Sequence, residues 1–174
     1  MNHLSYKEIR EKYIEFFKKN GHKEIPSATL IPENDPSVLL VNAGMFPLVP
    51  FLQGERHPSG TRLVNSQRCV RTIDIDEVGD AYHCTTFEML GNWSLNDYFK
   101  KEAIPMTLQF FIEELGFNIN RISATVFKGE DGIPKDTESI DILESLFKRY
   151  NVAPKITEKG KDDNWWELAT GGPC

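Results

Sequence analysis

VNSQRCVRTIDIDEVGDAYHCTTFEMLGNWSLNDYF, residues 64–99, is the stretch around which the chain is organised. It reads as a strand, a long loop, a return strand and a turn into a helix. The first strand spans Leu63–Arg71. Alternation sets Asn65, Gln67, Cys69 and Arg71 on one face and Val64, Ser66, Arg68 and Val70 on the other. The return strand spans His83–Leu90, with Gly91-Asn92 ending it. His83, Thr85, Phe87 and Met89 share one face; Cys84, Thr86, Glu88 and Leu90 share the other. Thr72–Tyr82 is too long for a tight hairpin turn and carries Asp74, Asp76, Glu77 and Asp80.

Pairing of these strands makes Arg71, where the first runs out, a near neighbour of His83, where the second begins. A guanidinium there can grip phosphate oxygens bidentately. An imidazole adds a donor. Phe87, on the His83 face, offers a ring for a base to stack on. The group fits a nucleotide, with phosphates toward the loop and the base over the strands. The same residues also admit plain roles: Arg71 as a solvated or ion-paired strand end, Phe87 as core, His83 as a polar strand end.

Around this hairpin the chain has 174 residues, 40% hydrophobic and 26% charged, which suits a globular domain with a core. No apolar run is long enough to span a membrane, and Met1–Tyr13 lacks the apolar region of a secretion signal. Cys69, Cys84 and Cys174 are odd in number and far apart, which points to a reducing, cytoplasmic setting. With no CxxC pair, a zinc site is not expected. A net charge of −6 does not suggest a dedicated nucleic-acid module, so phosphate contacts must come from local cations or backbone amides.

Taken in order, Ser5 and Glu8 form a capping box. Tyr6, Ile9, Tyr13, Phe16 and Phe17 follow at helical spacing to a stop at Gly21. That aromatic stripe is read as core. Pro26, Pro32 and Pro36 leave Ala28–Ile31 only short extended structure. Val38–Val41 reads as a buried strand. Pro47 and Pro50 keep Phe46–Leu52 irregular or briefly helical. A helix is expected from about Lys101 to Leu115, with Pro105 in its first turn and Ile104, Leu108, Phe111, Ile112 and Leu115 on its apolar side. Ile122–Phe127 reads as a strand. Asp136 caps a further helix that buries Ile140, Leu143, Leu146, Phe147 and Tyr150. A short strand surrounds Ile156. The sum is α+β: a sheet built largely from hairpin strands, with helices packed on one side. Neither GxGxxG nor GxxxxGK[ST] occurs, so a nucleotide would be held without the two common phosphate loops. No nucleophilic triad or isolated carboxylate pair stands out.

Longer runs add to this reading. Ser66–Arg71, followed by Thr86–Ser94 (TFEMLGNWS) and Asp97–Lys100, closely resembles the second class II signature motif as it occurs in alanyl-tRNA synthetases. Ile31–Met45 (IPENDPSVLLVNAGM) resembles that family's first motif. Asp163-Asn164-Trp165-Trp166 and Gly171–Cys174 resemble the segment leading into its amino-acid pocket. The likeness runs through nearly the whole chain in order.

The resemblance implies a class II antiparallel sheet flanked by helices and incomplete at the C-terminal end. Residues 1–174 would be the N-terminal portion of an aminoacylation domain, with motifs 1 and 2 present and motif 3 absent. It implies ATP and Mg2+ as cofactors, alanine and the acceptor end of tRNA(Ala) as partners, together with the remainder of a synthetase, and no membrane. By position, Arg71 is the implied catalytic residue at the α-phosphate. His83, Phe87 and Glu88 join it in ATP binding. Met45 and Trp166 line the alanine pocket, where size alone discriminates weakly. Arg62 and Arg68 are candidates near tRNA, offsetting the acidic loop. That loop lacks the lysine of the better-known form of the motif. The third motif and the acidic group for the alanine ammonium are not found in 1–174, so these residues alone are not expected to charge tRNA at a useful rate. Two other readings use the same residues: an ATP- or amino-acid-binding paralogue without tRNA charging, and a structural domain that binds no ATP.

Overall fold

A computed structural model of the protein describes residues 3–32, 39–73 and 75–165. They form two compact units that divide between Tyr98 and Phe99.

In the first unit the opening helix forms as its sequence dictates. Helix α1 is Tyr6–Lys19, and Ser5 and Glu8 close a reciprocal capping box. Lys18 and Lys19 sit in its last turn, where the helix dipole favours cations. Ile14, Phe16 and Phe17 are buried. Tyr6 is not part of that core: it is 76% exposed, because it stands at the first helical position, before the helix reaches the sheet.

Strand β1 (Lys23–Glu24) runs parallel to β2 (Arg62–Val70), and β2 pairs antiparallel with β3 (Thr86–Ser94). The register sets Arg62 opposite Ser94, Ser66 opposite Leu90 and Val70 opposite Thr86. The return strand thus starts later than expected and continues through Gly91-Asn92. Helix α1 covers the even-numbered face of β2 and β3: Arg10 reaches Glu88 at 2.5 Å and the Tyr13 hydroxyl donates to Asn92 Oδ1 at 2.8 Å. The odd-numbered face buries Leu63, Asn65, Gln67 and Cys69. Ile25, Leu48, Leu63 and Leu95 form a core cluster, with Phe51 and Trp93 packed on it. Burying each such side chain is worth about 1.5–3 kcal/mol.

The expected strand at 38–41 does not form. Val38 lies outside the described residues. Leu39 is 93% exposed, and only Val41 is buried. Val41 is held at both ends of its peptide: its amide donates to the Leu30 carbonyl at 2.8 Å, and its carbonyl accepts from the Val70 amide at 3.0 Å. A short 3-10 turn, Phe46–Leu48, then leads into the four-residue helix α2, Val49–Leu52.

Two buried polar groups organise this unit. Gln67 is fully buried and satisfied. Its Oε1 accepts from the Ala28 amide at 2.8 Å, while its Nε2 donates to the carbonyls of Ala28 and Arg68. The side-chain amide thereby acts as one rung of a ladder that fixes residues 27–28 against β2. His22 is buried between the Phe17 carbonyl at 3.0 Å from Nδ1 and the Tyr98 hydroxyl at 2.7 Å from Nε2. A carbonyl only accepts, so Nδ1 carries the proton and Nε2 accepts from Tyr98. Asn92 Nδ2 donates to the same hydroxyl at 3.0 Å. Tyr13, Asn92, Tyr98 and His22 are therefore one chain of hydrogen bonds, and burial raises the Tyr13 phenol and lowers the His22 imidazole from their ordinary values.

The second unit is a βαβ arrangement beside a helix. Helix α3 is Lys100–Gln109, continued by a π-helical turn at Phe110–Glu114. Pro105 is its sixth residue, not part of the first turn. The carbonyl of Lys101 that loses its donor belongs to an exposed residue, where water can replace it. The π turn, with the Leu115 amide bonded to the Phe110 carbonyl at 3.1 Å, inserts a residue and rotates the apolar face. Phe110 is buried, and Phe111 stacks on Phe117 at 5.5 Å. Strand β4 (Ala124–Phe127) and β5 (Ile156–Lys159) pair parallel, joined by helix α4 (Thr137–Arg149). This parallel pair is a departure from a sheet of hairpins alone, and it requires the crossover helix between its strands. Leu108, Val126, Leu143 and Phe147 make its core. Asp136 caps α4 by accepting from the Ser139 amide at 3.1 Å, and Lys100 Nζ lies 2.7 Å from its carboxylate. These donors hold the carboxyl below its ordinary value against the opposing effect of burial, which is the largest single influence on it.

Two outcomes follow. The folded chain resists protonating His22, whereas the unfolded chain takes up that proton near pH 6.5. Stability contributed by neutral His22 is therefore present above that pH and falls as pH drops through it. Urea unfolding between pH 7.5 and 5 is expected to show a steeper pH dependence in the parent than in His22→Gln. Asp136→Ala is expected to cost about 0.5–2 kcal/mol in the same assay at pH 7, the usual worth of such a cap.

Candidate functional site

The end of the β2–β3 hairpin nearest the acidic loop carries the candidate site. Arg71 follows the last residue of β2, and its amide donates to the Thr85 carbonyl at 2.8 Å. The ladder thus runs one step past Val70, with Arg71 facing Thr85, not His83. On the odd-numbered face Arg71 is the diagonal neighbour of Phe87, and the guanidinium lies over that ring at 5.1 Å. Its Nε donates to the Asn42 carbonyl at 3.0 Å. The guanidinium is thus tied at one nitrogen and supported on one face. No carboxylate of the described residues pairs with it within 4.0 Å. Its terminal nitrogens keep the fork geometry that suits a phosphate or carboxylate.

His83 sits elsewhere in the loop. Asp80 accepts from the His83 amide at 2.7 Å and from the Tyr82 amide at 2.8 Å, which lowers the Asp80 carboxyl. The His83 ring is bracketed by Asp80 Oδ2 at 2.7 Å and Glu77 Oε2 at 3.0 Å. An Asx-type turn, not a strand, therefore positions it. Arg71 pairs with Thr85, two residues from His83, and the His83 ring is held by Asp80 and Glu77 in the loop before β3, which begins at Thr86 instead of at His83.

Glu88 is not brought to Arg71 either. Strand alternation turns it to the α1 face, where it takes Arg10 at 2.5 Å and the Ser66 hydroxyl at 3.0 Å. It braces the helix against the sheet, on the opposite side from Phe87. Arg62 lies nine residues back along β2, roughly 30 Å from Arg71 at strand spacing. It is bonded to Asp97 at 2.8 Å and stacked over Tyr98 at 4.8 Å. It is not near the acidic loop. Arg68 is exposed on the even-numbered face, opposite Glu88 in the register. Met45 is half-buried at the start of the 3-10 turn, beside Gly44. Trp166, the segment Glu33–Val38, Asp74 and Gly171–Cys174 lie outside the described residues. Trp165, next to Trp166, packs on Phe127 at 4.8 Å.

Sequence reasoning missed the groups that hold Arg71 in place. Asn42 acts through its backbone carbonyl, which no residue pattern announces. Gly44, Met89, Trp93 and Asn65 form a packed layer on the odd-numbered face beside it. The Gly44 amide points to Met89 Sδ at 3.1 Å, and Trp93 Nε1 donates to Asn65 Oδ1 at 2.9 Å. The available signal was Gly91: a glycine inside a strand often marks a close approach, and here the Trp93 indole lies across it.

A cavity of about 530 Å³ opens elsewhere on this unit, lined by Ser27, Thr29, Val41, Phe46, Pro50 and Glu55 among others. Neither Arg71 nor Phe87 lines it, and the one charged residue among its described lining is an acid, Glu55, which does not suit a phosphate. Among the described residues, no three His, Cys, Asp or Glu side chains converge to hold a metal ion. No helix of the described residues is long and apolar enough to cross a membrane.

Comparison with known proteins identifies the family. The chain is 55% identical over 174 residues to an alanine–tRNA ligase of Treponema denticola, with 98% of this chain and 28% of the relative covered. It is 49% identical over 171 residues to an alanine–tRNA ligase of Treponema pallidum, covering 96% and 28%. An alanine–tRNA ligase of a Thermoanaerobacter species is 45% identical over 176 residues, covering 100% and 19%. The chain thus spans between about a fifth and three tenths of the length of these relatives. The family model for tRNA synthetases class II (A) matches residues 8–174, and the chain belongs to that family.

Proposed function

We propose that residues 1–174 act as the N-terminal part of an aminoacylation domain that activates alanine with ATP for transfer to the 3′ end of tRNA(Ala). The observation that carries the reading is Arg71: a guanidinium fixed at Nε and on one face, with its terminal donors unpaired by carboxylates among the described residues. In a class II family member, that is the group placed to bind the α-phosphate.

In the proposed reaction the alanine carboxylate attacks the α-phosphorus of ATP directly. A P–O bond forms to give alanyl-adenylate, and the bond to pyrophosphate breaks. No side chain is required as nucleophile or base. Arg71 aligns the α-phosphate and offsets the charge that gathers there in the transition state. Phe87 supports Arg71 on one side and borders the adenine. His83 meets the distal phosphates after exchanging Glu77 for them, since the two compete for the same imidazole nitrogen. Magnesium accompanies the nucleotide in this reading, held chiefly by phosphate oxygens. Met45 and Trp166 border the alanine methyl. Arg68, exposed, is the better placed of the two arginines for the RNA backbone; Arg62 is engaged by Asp97. The other substrates and the rest of the site belong to the longer architecture of the relatives. Residues 1–174 by themselves are proposed to bind nucleotide without charging tRNA at a useful rate.

The test is calorimetric titration of ATP and of a non-hydrolysable alanyl-adenylate analogue into the 174-residue chain and Arg71→Ala. A hydrogen bond to a charged group is worth about 1.5–3 kcal/mol, so Arg71→Ala is expected to weaken binding by about 10- to 100-fold. Equal affinity for both proteins would remove Arg71 from the site and leave the chain as a structural or non-charging member of the family.

A further inference from the structure

We infer that Trp93 is a positioning residue for Arg71, acting through the backbone of residues 41–44; the functional meaning of this rests on the role proposed above for Arg71. Trp93 lies on the odd-numbered face of β3, near the end far from Arg71. Its indole does not stand away from the sheet. It folds along the strand over Gly91, so closely that a methyl group at Gly91 would collide with the ring. The indole N–H then reaches across to Asn65 Oδ1 at 2.9 Å, on the residue paired with Gly91 in the register. The ring is therefore fixed at both its face and its polar edge.

Gly44 is buried against Cζ2 and Cη2 of that ring. A methyl group there would lie 3.1 Å from Trp93 Cζ2 and 3.4 Å from Met89 Sδ, tighter than ordinary contact. The Gly44 amide points at the same sulfur at 3.1 Å. Two residues earlier, the Asn42 carbonyl takes the Arg71 Nε–H. One residue before that, the Val41 carbonyl takes the Val70 amide. The Asn42 carbonyl is thus suspended between Val41, tied to β2, and Gly44, seated on Trp93 and Met89. Moving the indole moves Gly44, and with it the one acceptor that sets how the Arg71 guanidinium is turned over Phe87. Gly44 and Gly91 are glycines for the same reason: a methyl group at either would crowd the indole at Cζ2.

The test reads Arg71 directly. In the free 174-residue chain, the Arg71 side-chain Nε–H is assigned by 1H–15N NMR from its loss in Arg71→Lys. It is expected to be shifted from the free arginine position and slow to exchange. Trp93→Phe, which deletes the bond to Asn65, and Gly44→Ala, which presses on the ring, are both expected to move this signal toward the free position and speed its exchange while the backbone spectrum stays dispersed. An Arg71 signal unchanged in folded Trp93→Phe and Gly44→Ala overturns the inference. A second arm measures ATP affinity. Trp93→Phe is expected to weaken it by about tenfold, the scale of one charge-assisted hydrogen bond, and to add nothing in the Arg71→Ala background. Additive losses would show that Trp93 does not act through Arg71 and overturn the inference. Should ATP affinity be indifferent to Arg71→Ala, the function proposed for Arg71 fails, while the NMR arm still decides whether Trp93 positions it.

Discussion

Nine consecutive residue pairs, from Arg62–Ser94 to Val70–Thr86, join β2 to β3, and the rest of the first unit depends on that register. A strand alternates faces with a period of two, so the register decides every neighbour at once. One face receives α1, with Arg10 on Glu88 and Tyr13 on Asn92. The other receives the backbone of residues 27–28 and 41–44 and carries Arg71 over Phe87. A slip of one residue would send Arg71 toward the helix and Glu88 toward the site. The ladder ends at Arg71–Thr85 and leaves His83 to the loop, where Asp80 holds its ring.

Polar groups, not only apolar ones, hold that face in place. Gln67 is fully buried, and its side-chain amide pairs with the backbone of Ala28 as another strand would. Its burial is tolerable because both ends of the amide are satisfied. The same accounting explains the His22–Tyr98–Asn92–Tyr13 chain beneath α1, in which each donor meets one acceptor. Such networks fix a geometry more sharply than oil-like packing, since breaking one member leaves another unpaired. Arg71 differs: it is held by one carbonyl and one ring, and no carboxylate of the described residues pairs with its remaining donors.

Local signals in the sequence reported faithfully wherever the determining contacts were themselves local. The capping box at Ser5 and Glu8, the cap at Asp136 and the stop at Gly21 are set by residues a few positions apart, and each forms as read. Other readings failed where the fold imposed a different pairing, close approach or helical period. Val38–Val41 is apolar enough for a strand, but its described part meets β2 at a single backbone bond, from the Val70 amide to the Val41 carbonyl, and builds no ladder there. Gly91 looked like a strand end because glycine weakens strands. It lies within β3 because Trp93 needs the space. The helix after Phe99 was read with a regular period, and the π turn at Phe110–Glu114 broke it.

By itself the sequence determined the kind of protein this is. Long runs such as TFEMLGNWS carry the family, and the order of helices and strands carries the α+β class, because both depend on residue identity and short-range periodicity. It also singled out Arg71 and Phe87 as candidates, while the register decided that they share a face. Tertiary structure alone decided which candidates meet. It turned Glu88 to α1, locked Arg62 to Asp97, drew His83 into the turn made by Asp80, and supplied the Asn42 carbonyl that holds Arg71. The physical reason is common to all four: a charged or polar side chain takes the nearest partner that satisfies it, and in a folded chain that partner is set by register and packing, which sequence spacing does not encode.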